Sequence, residues 1–343
     1  MSAEDLLVFS ERYGMQRIVG LGGGIGASRL WRALVTHLDP SELTLVVNTG
    51  DEIWIHGVRV CPDIDTTLYA LSGRQNLKSG WGIQGDTFRC MEELRELSGG
   101  AWFNLGDLDL ATHLLRTAML REGVGLARIT SVLANKLGVT VKVLPASDDE
   151  IATIIEDTAG GRLHYEEFLI RHQARYPVRR VYYSGIVDAR PASGVIEAIR
   201  SADRIIIAPS NPVASIGPVI AIEGVREALC ERRSSVIAVS PIVKGVKIDD
   251  PGEALRALSR SALLTALGVT PSASGVAEMY SDFCSGFVID KADVDETKRV
   301  RRAGVRPYVA ETLLHRGADA DSLVELLLTT SRVFESSQPV ESH

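Results

Sequence analysis

The amino-acid sequence predicts an α/β protein with a doubly wound, mostly parallel sheet and a helical insertion. Three patterns predict this class. The sequence opens with a strand, a glycine-rich loop, a helix and a second strand; later strands alternate with helices; and one long middle segment carries only helical patterns. We expect a single α/β domain over residues 15–335, with the helical insertion over about 66–137. Residues 1–14 are expected to be an N-terminal extension and residues 336–343 a frayed tail.

The first elements follow from short apolar runs. Residues 16–21 (QRIVGL) predict a buried strand that stops in a glycine cluster, and residues 25–38 repeat apolar side chains at helical spacing. Residues 43–47 (LTLVV) predict a second buried strand. Because this order opens the dinucleotide-binding folds, it predicts a Rossmann-like sheet.

The later elements continue the alternation. Apolar runs predict parallel strands at 139–144, 180–183, 204–208 and 235–239, and further strands at 287–289 and 307–309. Helical patterns fall at 192–200, 219–232 and 320–334, and those of the insertion at 66–71, 87–97, 110–122 and 126–137. Residues 148–165 predict a short strand pair that turns at Gly160 and Gly161.

Composition and charge exclude several classes of protein. The 343 residues carry 37 Lys and Arg against 44 Asp and Glu, a formal charge of −7, without a basic run for nonspecific nucleic-acid binding. No apolar stretch approaches the ~20 residues that cross a bilayer, and the acidic N-terminus does not resemble a secretory signal. Four scattered cysteines without a CxxC pair argue against a disulfide framework or a zinc site. We expect a cytoplasmic enzyme with no nucleic-acid or membrane partner.

The glycine-rich loop after the first strand predicts an anion site. Five glycines fall within the seven positions 20–26, so the backbone can approach a ligand and the N–H groups of the next helix can face an anion. The spacing G-x-G-x-x-A also fits a dinucleotide, but Asn48 stands where a ribose-binding acid is needed. No lysine follows the loop as in a Walker ATPase. A tight turn without a ligand is the structural alternative.

A cluster of carboxylates follows the second strand. Asp51, Glu52, Asp63 and Asp65 fall within fifteen residues, on the edge where open α/β sheets bind ligands. Such a cluster suits a hard cation such as Mg²⁺ that bridges phosphates. The structural alternative makes Asp63 or Asp65 the N-cap of a helix that starts at Thr66. We expect one of the two to cap and the other to remain available.

Aromatic and titratable side chains form a third cluster. Trp81, Trp102 and Phe103 are either core residues or a flat wall for a planar heterocycle. His113 falls inside a predicted helix, where a structural role is the more common one. Arg116 shares its helix face and could meet an anion.

A proline-framed segment, PSNP at 209–212, follows the strand at 204–208. The prolines fix the backbone so that the hydroxyl of Ser210 and the amide of Asn211 can point off the sheet. This pattern predicts a reader of a ligand's base or phosphate, and a purely structural turn is the alternative. Ser240 ends the next strand in a similar way and is expected at the same crevice.

These motifs together resemble one family, the CofD/FbiA transferases of deazaflavin coenzyme F-420 biosynthesis. The matching strings run from about Arg17 to the last predicted helix, and cover nearly the whole chain. They are GGGIGASRL, VVNTGDEIWIHGVRVCPDIDTTLYAL, GWGIQGDT, WFNLGDLDLATHLLRT, LPASDDE, APSNPVASIGPV and SPIV. The resemblance implies a Mg²⁺-dependent phosphotransferase. It would move a phospholactyl-type group from a guanosine-diphosphate-activated donor to the deazaflavin FO and release GMP, and it allows a homodimer.

The resemblance also implies roles for individual residues. The nucleotide donor would be held by Gly22, Gly23, Gly24, Gly26, Ser210, Asn211 and Pro212. The metal would be held by Asp51, Asp63 and Asp65, and FO by Asp65, Asn104 and Asp107. Asp63 and Asp65 would act in catalysis, with Asp65 as the favoured acceptor of the hydroxyl proton. The donor's three-carbon acid stays open among 2-phospholactate, phosphoenolpyruvate and 3-phosphoglycerate.

Two positions depart from the family pattern. Glu52 follows Asp51 where relatives commonly have a second aspartate, and Leu108 replaces the arginine of GDRDLATH. The rival interpretation is a non-catalytic nucleotide-sugar-binding regulator of the YvcK type, which shares the glycine loop. Those chains read P-G-D-x-R where this one has PDIDT at 62–66, which favours the transferase.

Overall fold

The computed structural model describes residues 16–314 and 320–330, so the predicted extension (1–14) and tail (336–343) lie outside the described residues. In chain order the strands are β1 (Ile18–Gly22), β2 (Leu43–Val47), β3 (Ile53–Ile55), β4 (Val58–Val60), β5 (Lys142–Pro145), β6 (Ala152–Glu156), β7 (Arg162–His164), β8 (Arg180–Ser184), β9 (Arg204–Ile207), β10 (Val236–Val239), β11 (Gly286–Asp290) and β12 (Arg306–Ala310). The α-helices are α1 (Gly24–Leu34), α2 (Pro62–Leu71), α3 (Arg89–Ser98), α4 (Asp107–Arg121), α5 (Leu126–Lys136), α6 (Val195–Ser201), α7 (Gly217–Ala221), α8 (Val225–Glu231), α9 (Pro251–Ala266), α10 (Ala273–Met279), α11 (Thr297–Arg302) and α12 (Ala320–Thr329). None of these helices is long and apolar enough to cross a membrane.

The central sheet of the described residues has seven strands in the order β12-β11-β10-β9-β1-β2-β5, and every pair in it is parallel. The chain winds from β1 outward through β2 to β5, then returns to the other side of β1 and continues from β9 to β12. The winding direction therefore reverses between β1 and β9. Open α/β sheets bind ligands beyond the carboxyl ends of the strands at such a reversal. The predicted fold class is confirmed.

Both faces of the central sheet are covered, which explains why its inner strands are apolar throughout rather than alternating. In β9, Ile205 and Ile207 belong to one hydrophobic cluster and Ile206 to the cluster on the other face. On the second face, Trp31 of α1 lies directly against Gly20 of β1, where any side chain would collide with the indole ring. This packing holds α1, and the loop before it, at a fixed distance from the sheet.

The helices predicted for the insertion are present as α2 to α5, with one important shift. Helix α2 begins at Pro62, four residues before the predicted start, because proline is well suited to the first helical position. Cys61 occupies the N-cap position, and no side chain caps this helix. The prediction that Asp63 or Asp65 caps the helix is therefore wrong, since both lie inside its first turn.

Strand β8 corrects another prediction. Residues 180–183 were expected in the parallel sheet, but β8 pairs antiparallel with β6 in a separate three-stranded sheet of order β7-β6-β8. The pairing of β6 with β7 confirms the strand pair predicted within 148–165. The predicted helix over 219–232 is divided into α7 and α8 at Gly224, which has a φ of +79°.

Candidate functional site

The loops that follow β1 and β9 meet at the carboxyl edge of the sheet and line a cavity of about 410 Å³. They meet because β1 and β9 are neighbouring strands. The predicted nucleotide-binding residues that line the cavity are Gly23, Gly24, Gly26, Ser210 and Asn211. Gly22 ends β1 and Pro212 begins the helical turn Pro212–Ile216, and neither lines the cavity.

Ser210 links the two loops. Its hydroxyl donates a hydrogen bond to the Gly23 carbonyl (2.8 Å) and accepts one from the Gly23 N–H (3.1 Å). Gly24 has a φ of +71°, and a Cβ atom at Gly26 would collide with the Pro209 carbonyl. The N-cap residue of α1, Gly23, has no side chain, and the Asp63 carboxylate accepts a hydrogen bond from the Gly24 N–H, so the remaining N–H groups of the first turn are left for a ligand. This end of the cavity suits an anion such as a diphosphate.

Asn211 shapes the second loop through both ends of its side chain. Its oxygen accepts hydrogen bonds from the backbone N–H groups of Val213 (3.0 Å) and Ala214 (3.1 Å), which caps the helical turn Pro212–Ile216. Its amide nitrogen donates to the hydroxyl of Tyr165 (3.4 Å). The oxygen of Asn211 therefore serves the fold, and its amide nitrogen lies at the cavity.

Three buried carboxyl groups, Asp51, Asp63 and Glu166, line the cavity; we call them the acidic wall. Burial, with repulsion from Asp63 and Glu166, raises the pKa of Asp51 well above its usual range. Burial raises the pKa of Asp63 to about 6, and burial with repulsion from Asp63 raises that of Glu166 to about 8. Within residues 16–314 and 320–330 no Lys, Arg or His forms an ion pair with any of the three.

The acidic wall fits a divalent cation. Asp51 Oδ1 is buried without a hydrogen-bond partner, whereas Asp63 Oδ2 accepts a hydrogen bond from the Asn48 amide (2.9 Å). The described residues contain no group of three or more His, Cys, Asp or Glu arranged to hold a metal ion. Mg²⁺ is commonly held by only one or two carboxylates together with water and substrate phosphates. Asp51 and Asp63 therefore fit a magnesium ion that is bound together with a diphosphate.

Asp65 also lines the cavity, but an arginine neutralises it. Both of its carboxylate oxygens accept hydrogen bonds from the guanidinium of Arg116, which is fully buried. His113 lies 3.5 Å from Asp65 and 3.2 Å from Asp109, and Tyr69 donates a hydrogen bond to Asp109 (2.7 Å). The anion that Arg116 meets is thus a carboxylate of its own chain. Asp65 therefore differs from the acidic wall in having a cationic partner, and its roles in catalysis, metal binding and FO binding stay predictions.

The other predicted FO-binding residues lie in different surroundings. Asn104 lines the cavity beside Phe103, as Trp81 does, and its oxygen accepts a hydrogen bond from Arg95 (2.6 Å). Asp107 does not line the cavity. Its carboxylate instead accepts hydrogen bonds from Thr87 and from the backbone N–H groups of the first turn of α3. The structure therefore brings Asn104 to the aromatic side of the cavity and leaves Asp107 outside it.

Both departures from the family pattern lie away from the cavity lining. Glu52 accepts a hydrogen bond from Arg59 (3.1 Å), and both side chains are buried. Burial raises the pKa of Glu52 to about 7 although Arg59 and Arg116 oppose the rise. Leu108 is 49% exposed on α4. Neither residue lines the cavity.

Sequence reasoning missed several cavity residues. Tyr165 and Glu166 follow β7 and belong to none of the motifs considered. A second group comes from the facing helices α1 and α9: Arg29, Glu253, Arg256 and Arg260. A sequence signal for the residues of α9 was available. The spacing of Glu253, Arg256 and Arg260 puts three charged side chains on one face of a helix that follows a predicted ligand-binding loop.

Comparison with known proteins identifies relatives of this chain by sequence and by fold. The family model described as 2-phospho-L-lactate transferase CofD matches residues 18–317. A phosphoenolpyruvate transferase of Streptomyces coelicolor is 40% identical over 294 residues, covering 84% of this chain and 90% of the relative. A 2-phospho-L-lactate transferase of Methanosarcina mazei is 37% identical over 306 residues, covering 89% of this chain and 97% of the relative.

Among solved structures, a member of the UPF0052 family from Bacillus halodurans has the same fold, with a TM-score of 0.56 and 20% identity. The match covers 91% of this chain and 98% of that structure. At this identity the likeness concerns the fold alone. The family model, by contrast, spans most of the sequence, and two relatives exceed one third identity over most of both chains. The chain therefore belongs to the CofD family.

Proposed function

We propose that this protein transfers a 2-phospholactyl or phosphoenolpyruvyl group from a guanosine-diphosphate-activated donor to the deazaflavin FO and releases GMP. A 3-phosphoglyceryl group is the third candidate. The relatives named as 2-phospho-L-lactate and phosphoenolpyruvate transferases support the reaction class. One structural observation supports the proposal: the N-terminus of α1 and an acidic wall without a cationic partner among the described residues line the same cavity and meet where Asp63 contacts Gly24. The homodimer and the cytoplasmic location stay predictions.

The donor's diphosphate is assigned to the loop at Gly23–Gly26. There the N–H groups of the first turn of α1 that Asp63 leaves free would meet the diphosphate, and the hydrogen bonds of Ser210 fix the loop before the ligand arrives. A pre-formed loop lowers the entropy lost on binding. The amide nitrogen of Asn211 lies at the same end of the cavity as this loop, and we assign it to the nucleoside.

The acceptor is assigned to the side of the cavity that carries Trp81, Phe103 and Asn104. Aromatic and apolar side chains suit the flat deazaflavin ring, and the Asn104 amide gives the ring edge a polar partner. This arrangement would direct the ribityl chain of FO toward the acidic wall, where the donor's diphosphate is also assigned.

The transfer needs in-line positioning more than covalent help from the protein. A ribityl hydroxyl oxygen forms a bond to the phosphorus that carries the three-carbon acid. The bond from this phosphorus to the bridging oxygen breaks, and that oxygen leaves with GMP. We assign the hydroxyl proton to Glu166 rather than to Asp65, because Arg116 occupies both carboxylate oxygens of Asp65. The Glu166 carboxylate has no hydrogen-bond donor among the described residues, and its pKa of about 8 suits a base near neutral pH.

Asp51 and Asp63 are the residues that would hold Mg²⁺. When bound, the ion would neutralise charge on the diphosphate as GMP leaves. These residues would supply oxygen ligands at a buried position, where burial raises their pKa and no Lys, Arg or His of the described residues pairs with them. The Asn48 amide keeps the Asp63 carboxylate in one orientation.

The test is incubation of the protein with FO, Mg²⁺ and each of the three guanylated donors, followed by mass spectrometry. The proposal predicts one new deazaflavin product and an equal amount of GMP. Asp63→Asn should abolish the product while the protein stays folded. Absence of product with all three donors would refute the proposal.

A further inference from the structure

A second charged surface lines the cavity in addition to the acidic wall. Helix α9 contributes Glu253, Arg256 and Arg260, which lie on one helix face at spacings of three and four residues, and α1 contributes Arg29. We call these four residues the basic side. Helix α9 is anchored by buried Leu263, so these side chains stand on a rigid element.

The basic side carries more positive than negative charge. Glu253 accepts a hydrogen bond from Arg29 (2.5 Å) and lies 3.1 Å from Arg256. Although burial opposes it, these two guanidiniums lower the pKa of Glu253 to about 2. Asp250 is 3.8 Å from Arg256 and its side chain is 54% exposed, so it adds little compensation. The partly buried carboxylate of Glu253 therefore pairs with two arginines and leaves none for a third.

Arg260 is that third arginine. It lines the cavity, and its guanidinium forms no hydrogen bond or ion pair with any residue in the described ranges. Burial lowers its pKa, and Glu253 and Tyr165 only partly oppose this. Arg260 interacts electrostatically with Tyr165, whose hydroxyl accepts a hydrogen bond from the Asn211 amide, so Arg260 lies near the donor side of the cavity. A guanidinium stays charged at any physiological pH, and a largely buried cation without a partner is costly.

We propose that Arg260 binds the carboxylate of the donor's three-carbon acid and thereby selects donors that carry one. The inference rests on the proposed function. The diphosphate already has the α1 N–H groups and the carboxylate-bound cation as partners, whereas the carboxylate has none. Arg29 and Arg256 are both engaged by Glu253, and no lysine of the described residues lines the cavity. The planar guanidinium fork matches a carboxylate through two parallel hydrogen bonds.

The experiment compares wild type, Arg260→Gln and Arg260→Lys by calorimetric titration with GDP and with the guanylated phosphoenolpyruvate donor, in Mg²⁺. Arg260→Gln should bind GDP like wild type and bind the donor about ten- to a hundredfold more weakly, the loss typical of a charge-assisted pair. Arg260→Lys should recover part of this affinity. In turnover, KM for the donor should rise while KM for FO stays unchanged.

Arg299→Gln is the matched control, because it removes the same charge from a side chain that is 70% exposed on α11. It should leave both affinities unchanged. Equal weakening of GDP and donor in Arg260→Gln would assign the guanidinium to the diphosphate and overturn the carboxylate assignment. Wild-type affinity for both ligands would overturn it as well. Failure of the wild type to form product would instead refute the proposed function, because the two titrations do not depend on turnover.

Discussion

Glu166→Gln is the substitution that probes the electrostatics of the acidic wall most sharply. The carboxyl group of Glu166 is buried beside Asp63, and its pKa rises from 4.5 to about 8. Between these two pH values the folded protein binds more protons than the unfolded chain. The free energy of unfolding therefore falls as the pH rises from about 4.5 to about 8. The rise of 8 − 4.5 = 3.5 pH units, at about 1.4 kcal/mol each, sets an upper bound of about 5 kcal/mol on this loss.

Glutamine has nearly the shape of glutamate but carries no charge. We expect Glu166→Gln to stabilise the metal-free protein at pH 8 by on the order of 1–4 kcal/mol and to have little effect near pH 4.5. Transfer activity should fall by a factor on the order of 10² or more, because the proton acceptor is lost. Urea unfolding at both pH values in EDTA measures the first effect, and product formation measures the second.

Glu167→Gln is the control, because it removes the same charge from the neighbouring residue. Glu167 forms a partly exposed ion pair with Arg171. Its effect on unfolding should stay within about 0.5 kcal/mol at both pH values. If Glu166→Gln were as stable as wild type at pH 8, or less stable, the carboxyl group would not be the buried, uncompensated charge described here.

Three further outcomes follow from named contacts. Asp65→Ala leaves the buried guanidinium of Arg116 unpaired and should destabilise the fold by about 3–5 kcal/mol in chemical denaturation, a loss that adding Arg116→Met should partly reverse. Gly26→Ala drives a methyl group into the Pro209 carbonyl and should weaken GDP binding at least about tenfold by titration calorimetry. Removal of Mg²⁺ with EDTA should abolish transfer, and added Mg²⁺ should raise the melting temperature of wild type but not of Asp63→Asn; an equal rise in both would exclude Asp63 as a ligand.

Local patterns made the central part of the fold predictable. The strand at 16–21, the glycine loop and the strand at 43–47 have clear local patterns. In the structure they correspond to β1, the start of α1 and β2, respectively. Their order was sufficient to predict a parallel sheet and a ligand edge. Strand β8 was misassigned because a short apolar run shows that a strand forms but not which neighbour it pairs with.

The candidate site was predictable only as far as its residues lie in motifs. Asp63 and Ser210 stand in conspicuous sequence motifs, and the structure brings both to one cavity. The pairing of Asp65 with Arg116 joins residues that are 51 positions apart in the sequence. It forms only when helix α4, which carries Arg116, packs near the first turn of α2, which carries Asp65. Glu166 stands out only through burial beside Asp63, which no local pattern encodes.

The most direct test of the account is a crystal structure of the protein with GDP, FO and Mg²⁺. We predict the diphosphate on the loop at Gly23–Gly26, the cation in contact with Asp51 and Asp63, and the deazaflavin ring beside Phe103. A diphosphate bound away from this loop, or a cation that contacts neither aspartate, would contradict the account.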